Sequence, residues 1–142
     1  MKRANVYGYS DDPLRWSLLS HGSLEFIRHT DESLLETAKG WRPQIIHCND
    51  WETGHIPNYL KTVYRNDPLI SNIATVFTIH NLQYQGMFDH KNISEMDYDD
   101  GRSPIAPFFS ERLIKQNFMR RGIMYSDVVN TVSPTYAKEI LT

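Results

Sequence analysis

The sequence predicts an α/β domain built on a parallel sheet, and three observations carry that reading. Short apolar runs rich in β-branched residues recur at 43–48, 73–79 and 128–132. They are too short for typical helices and fit strands. Segments with helical features separate them, and strand–helix–strand alternation makes parallel sheets with right-handed crossovers. Each run also exits directly into polar residues: Asn49-Asp50-Trp51, then His80-Asn81-Leu82-Gln83-Tyr84-Gln85, then Ser133-Pro134-Thr135-Tyr136. Ligands of open α/β sheets bind at the carboxyl ends of the strands. The three exits therefore predict one composite site.

The elements follow in order. Residues 1–10 are polar, with Tyr7, Gly8 and Tyr9, and read as a loop. Asp12-Pro13 gives a helix start, with Asp as the cap and Pro at the first helical position. Leu14, Trp16, Leu18, Leu19, Leu24, Phe26 and Ile27 continue an uneven helical pattern, weakened at Gly22 and broken at His29-Thr30-Asp31. A short helix is expected from Glu32 to Lys39, with Gly40 as its stop and Pro43 beyond. After the first strand, Ile56, Tyr59, Leu60, Val63 and Tyr64 form one apolar helical face. Pro57 must lie in that helix's first turn, because an interior Pro removes a hydrogen bond. Asn66-Asp67-Pro68 ends it.

After the second strand, residues 86–109 show no period and contain Gly86, Gly101, Pro104 and Pro107. A loop of that length in a compact domain is commonly functional. Helical patterning returns from Glu111 to Tyr125, and Ser126-Asp127 turns into the third strand. Ser133-Pro134 repeats the cap-plus-Pro start of a helix. Two features predict a longer parent chain. The sequence stops on Thr142 inside an apparent helix, and three strands are few for a parallel sheet buried on both faces.

Composition excludes several classes. The 142 residues suit one domain, and 40% hydrophobic residues with 12% aromatic suffice for a core. A formal net charge of −2 gives no basic field for nucleic acid or an acidic membrane surface. No apolar run approaches the ~20 residues of a membrane span. Cys48 is the single cysteine and cannot form an internal disulfide.

The chemistry-bearing residues each carry two readings. His80 follows an apolar strand beside Asn81. An imidazole there can hold sugar hydroxyls or face a developing positive charge, or it can cap the strand's backbone. Asp50 can accept paired hydroxyls while Trp51 offers a flat apolar face to a sugar ring. Alternatively Asp50 caps the following helix and Trp51 packs in the core. His47 and Cys48 face opposite sides of one strand and do not share a metal. With no metal-ligand spacing, no metal site is predicted. Ser133 and Tyr136 read as a cap and a packing residue. Asp97, Asp99 and Asp100 read as solvated loop, unless a lid turns one inward.

Four ordered stretches then resemble one family. They are Ile46-His47-Cys48-Asn49-Asp50-Trp51-Glu52-Thr53-Gly54; Val76-Phe77-Thr78-Ile79-His80-Asn81-Leu82-Gln83-Tyr84-Gln85-Gly86-Met87-Phe88; 117–127; and Asn130-Thr131-Val132-Ser133-Pro134-Thr135-Tyr136-Ala137 through Ile140. Together they resemble bacterial glycogen synthases and plant starch synthases. Tyr7-Gly8-Tyr9-Ser10-Asp11-Asp12 through Arg15-Trp16 is also similar, with Trp16 where Phe is usual.

The resemblance implies a Rossmann-like three-layer domain, part of the N-terminal half of a retaining GT-B glycosyltransferase. Such enzymes move glucose from a nucleotide sugar, usually ADP-glucose, to the non-reducing end of an α-1,4-glucan, without a metal or other cofactor. Carried over by position, His80 would contact the donor glucose. Asp50, Trp51 and Asn81 would line the cleft where donor and acceptor meet, and Tyr84 and Gln85 would shape its wall. The family's Lys-Thr-Gly-Gly loop and its C-terminal domain, which hold the nucleotide, are absent from 1–142. Asn49 stands where the family often has His. The chain alone is therefore expected to be inactive, to need that C-terminal domain as partner, and to self-associate through apolar surface left uncovered. UDP-glucose is the other donor to consider. A sucrose-synthase-like transferase and a non-catalytic glucan-binding module are the alternatives. Cytoplasm in a bacterium, or plastid stroma in a plant, is the expected compartment.

Overall fold

β2 (Ala74–Ile79) is the middle strand of a three-stranded parallel sheet, between β1 (Ile45–Asn49) and β3 (Val128–Thr131). This is seen in a computed structural model that describes residues 4–32, 36–37, 39–102 and 111–141. The α/β class and the parallel pairing are as the alternation predicts. Cys48 sits beside Phe77, and Phe77 beside Val129. Side chains alternate along each strand, so Cys48, Phe77 and Val129 share one face while His47, Val76 and Val128 share the other.

The first face carries the core. Cys48 and Phe77 are fully buried in one cluster with Leu60, Phe118 and Met119. Burial pushes the Cys48 thiol up to about 12. α1 (Asp12–Arg28) packs on α2 (His55–Lys61), and α2 packs on α3 (Phe118–Tyr125). α4 (Pro134–Glu139) lies against β3. On the other face a polar row crosses all three strands. His47 Nε2 meets the Thr78 hydroxyl at 2.6 Å, and that hydroxyl donates to Asn130 Oδ1 at 2.6 Å. Ile45, His47, Val128 and Asn130 are exposed there.

Several boundaries move, each for a local reason. Asp12 is the first helical residue of α1 and does not cap it. Its carboxylate instead accepts the Gly8 and Tyr9 N–H groups and pairs with Arg15, which ties down the N-terminal loop. α2 stops at Lys61. The Thr62 hydroxyl donates to the Asn58 carbonyl at 2.7 Å, and the Tyr64 N–H reaches Tyr59 O at 2.9 Å. This widened turn throws Val63 outward, 46% exposed, where the apolar period places it inside.

The expected helix 111–125 is two pieces, a 3-10 turn at Glu111–Lys115 and then α3. Asn117 divides them by accepting the Arg120 N–H at 2.8 Å, an N-cap bond. Ser133 caps α4 as expected, accepting from the Tyr136 N–H at 3.0 Å. The expected Glu32–Lys39 helix includes 33–35 and 38, which lie outside the described residues. So do Pro104 and Pro107. Of the loop acids, Asp99 turns inward and pairs with buried Arg121 at 2.6 Å.

His55 is buried where the three helices meet. Its Nδ1 is 2.9 Å from the Ser17 hydroxyl, and its ring lies 3.7 Å from Phe118. Burial, and then the nearby Arg121 charge, hold its pKa well below the usual histidine value. The folded state keeps His55 neutral, while the unfolded chain protonates it below about pH 6.5. Stability is therefore expected to fall as pH drops below that value, by up to about 1.4 kcal/mol per pH unit. Urea midpoints between pH 7.5 and 5.5, compared for the native chain and His55→Gln, check this. Parallel slopes would acquit His55.

Candidate functional site

The carboxyl ends of β1 and β2 are joined by one side chain. Asp50 Oδ1 accepts the His80 N–H at 2.8 Å and the Asn81 N–H at 3.4 Å. Asp50 itself sits at φ 53°, ψ −175°, a backbone region that side chains other than glycine's rarely adopt. Its carboxylate does not cap the 3-10 turn Trp51–Thr53 that follows. The Thr53 hydroxyl serves that corner, accepting the Asn49 N–H at 2.7 Å and donating to the Asn49 carbonyl at 2.8 Å. The capping reading of Asp50 is thereby replaced by an inter-strand tie.

The His80 side chain likewise does not cap a strand. Its Nε2 faces Asn49 Oδ1 at 3.0 Å on the exposed rim. Asn81 Oδ1 accepts the Gln83 N–H at 3.0 Å, an Asx turn that commits the oxygen and leaves the amide nitrogen to other partners. Gln85 Oε1 accepts from Asn117 Nδ2 at 2.6 Å, so it fastens the exit loop to the start of α3. Gly86 (φ +62°) follows, and a Cβ there would overlap the Trp51 indole and lie 2.9 Å from Phe118 Cβ. Only glycine meets both demands.

Asp50, Trp51, Asn81 and Tyr84 line one small cavity of about 270 Å³, together with Tyr7 and Glu52. A cleft of about 830 Å³ adjoins it, where Tyr7, Trp51 and Tyr84 recur beside Tyr9, Gln85 and Phe88. Trp51 is only 6% exposed and makes edge-on contacts with Tyr7, Trp16, Phe88 and Phe118. The open aromatic faces belong to Tyr7 (45% exposed) and Tyr84 (53%), whose rings lie 6.2 Å apart. His80 lines neither cavity and stands on the rim beside Asn49.

Sequence reasoning missed Tyr7 and Glu52 as lining residues. Tyr7 reaches the site on a loop that Asp12 gathers through the N–H groups of residues 8 and 9, and such a loop leaves no periodic signal. Glu52 adjoins the Asp-Trp pair in sequence, and that adjacency was the available sign. Burial, and then the Asp50 and Asp12 charges, raise its carboxyl above the usual range. Among the described residues, no three His, Cys, Asp or Glu gather in a group able to hold a metal. Among them, too, no helix is long and apolar enough to cross a membrane.

A parallel sheet whose carboxyl rim joins carboxylate, amide and imidazole groups to open aromatic faces is the ligand-binding end of a Rossmann-like α/β domain. The chain belongs to the starch synthase catalytic domain family, whose model matches residues 1–142. It is 42% identical over 140 residues to the glycogen synthase of Desulforudis audaxviator, covering 99% of this chain and 26% of that protein. It is 48% identical over 120 residues to that of Thermotoga petrophila, covering 84% and 22%. Among solved structures it is similar to the catalytic domain of starch synthase IV from Arabidopsis thaliana bound to ADP and acarbose. That match has a TM-score of 0.67 and 28% identity, covering 99% of this chain and 27% of that one. The chain thus spans about a quarter of the length of the curated relatives it matches.

Proposed function

We propose that this chain supplies one wall of a glucosyltransferase cleft, in a protein that extends an α-1,4-glucan from a nucleotide-sugar donor with retention. ADP-glucose is the first donor to try and UDP-glucose the second. The observation that carries this is the small cavity that places Asp50 and Asn81 beside the open faces of Tyr7 and Tyr84. Carboxylate and amide groups recognise hydroxyls, and tyrosine faces suit sugar rings. The starch synthase IV match, a structure holding ADP and acarbose, and the glycogen synthase relatives support the same substrate class.

In this reading His80 meets the donor glucose at the rim. Asp50 and Asn81 set the position of the turn it rides on, and Tyr7, Trp51, Tyr84 and Gln85 form the glucan side. Held dipoles near a developing oxocarbenium centre lower its energy without a metal. A C-terminal domain is the partner expected to hold the nucleotide, and the cytoplasm of a bacterium is the compartment this reading expects.

The test is glucosyl transfer to a malto-oligosaccharide in the intact protein that contains this chain, with each donor in turn. Transfer is expected, with a loss of about 100-fold or more in His80→Ala. An unchanged His80→Ala rate would remove His80 from the reaction. Silence with both donors in the native protein would favour another transferase or a binding module.

A further inference from the structure

The turn after β2 carries His80, Asn81 and Tyr84, and side chains hold its backbone group by group. The Ile79 carbonyl accepts from the Thr131 hydroxyl of β3 at 2.6 Å. The His80 and Asn81 N–H groups go to Asp50. The Leu82 N–H donates to the Tyr136 phenol oxygen of α4 at 2.7 Å. The Gln83 N–H goes to Asn81 Oδ1 at 3.0 Å. Strand ladders do not reach these groups, so without side chains they would turn to water and the turn would have many shapes. Three of the tying residues come from the exits of β1 and β3 and from α4. The turn is thus built by the sheet around it.

We propose that Tyr136 is a positioning residue, whose phenol oxygen, 2.7 Å from the Leu82 nitrogen, fixes the turn that carries His80 and Asn81. The residue reads as plain packing in the sequence, and half of that holds. Its ring is partly buried against the core cluster. Packing anchors the ring, and the anchored hydroxyl then offers one oriented acceptor to one amide. Ser133 sets this arrangement up by capping the first turn of α4 through the Tyr136 N–H. A short chain of bonds therefore runs from the third strand exit to the middle of the second. Tyr136 acts through Leu82 and touches no substrate itself.

The functional part rests on the glucosyltransferase reading, and two measurements separate the two. The first is amide hydrogen exchange over 80–84 in the intact protein and its Tyr136→Phe form. The ring stays and the acceptor goes, so exchange is expected to rise at least tenfold there while β1 and α2 keep their protection. The second is steady-state transfer with the same variant. A tenfold or greater fall in kcat, with KM for the glucan changed less than threefold, is expected. Loss of one packing residue would instead lower the melting temperature and protection everywhere. Unchanged exchange at 80–84 would overturn the tie. Raised exchange with unchanged kcat would overturn its role in the reaction. A native protein that transfers from neither donor would refute the functional reading and with it the positioning role, while exchange still decides the tie.

Discussion

If the intact protein is the glucosyltransferase proposed above, Asp50→Ala is expected to cut its transfer about 100-fold or more, and Asp50→Asn by only about tenfold. Alanine removes the acceptor that joins the His80 and Asn81 amides to the end of β1. Displacement of a catalytic group by about 1 Å costs on the order of 10² in rate. Asparagine keeps an oxygen at the same place and matches aspartate closely in size and shape. It therefore preserves the tie while removing the charge. The backbone adds a second lever, because φ 53° at Asp50 stores strain that the native contacts hold in place. Asp50→Gly relieves that strain without restoring the tie, so it is expected to be as slow as alanine and at least as stable. The readouts are kcat with saturating donor and the urea midpoint of each variant. Native kcat in Asp50→Ala would end the anchoring argument. Equal losses in Ala and Asn would move the role of Asp50 from anchor to charge.

The parallel sheet, the polar exits and their meeting at one rim were legible because they follow from local pattern. Apolar runs of strand length followed by polar clusters place Asp50 and His80 at one rim once the sheet is parallel. What was not legible depends on contacts across the chain. Trp51 reads equally as a sugar platform or a core residue. Its burial is decided by Tyr7, Trp16, Phe88 and Phe118, from four separate segments. Val63 fits the helical period of α2, yet Thr62 ends the helix by bonding back to Asn58. The Asn58 carbonyl accepts the Thr62 N–H as well, and Tyr59 O then takes the N–H of Tyr64 in place of that of Val63, a wide turn that no hydrophobic period records. Asp99 could not be told from Asp97 by sequence. Asp97 accepts from Ser94, while Asp99 meets Arg121 one turn into α3.

Gly54→Ala is expected to destabilise the chain by about 3 kcal/mol, and the sign is the informative part. Gly54 has φ −61° and ψ −22°, ordinary helical values that alanine adopts freely. On backbone grounds alone the substitution would stabilise by about 0.4–1 kcal/mol, because alanine has less freedom to lose. The space around it argues the other way. A Cβ at this position would overlap the Phe118 carbonyl oxygen and come within 2.8 Å of its carbon. Those are backbone atoms, so no rotamer change relieves the overlap, and α2 and α3 must part. Overpacking of this kind costs about 1–3 kcal/mol or more. Parting these helices would also disturb His55 against Phe118, and Gly86 against Trp51, which are the supports under the site wall. Gly22→Ala is the matched control. It is exposed in the middle of α1 with nothing within 4 Å of a built Cβ, so about 1 kcal/mol of stabilisation is expected there. Urea unfolding of both variants decides it: opposite signs support the close approach of α2 to Phe118, and stabilisation by both would refute it.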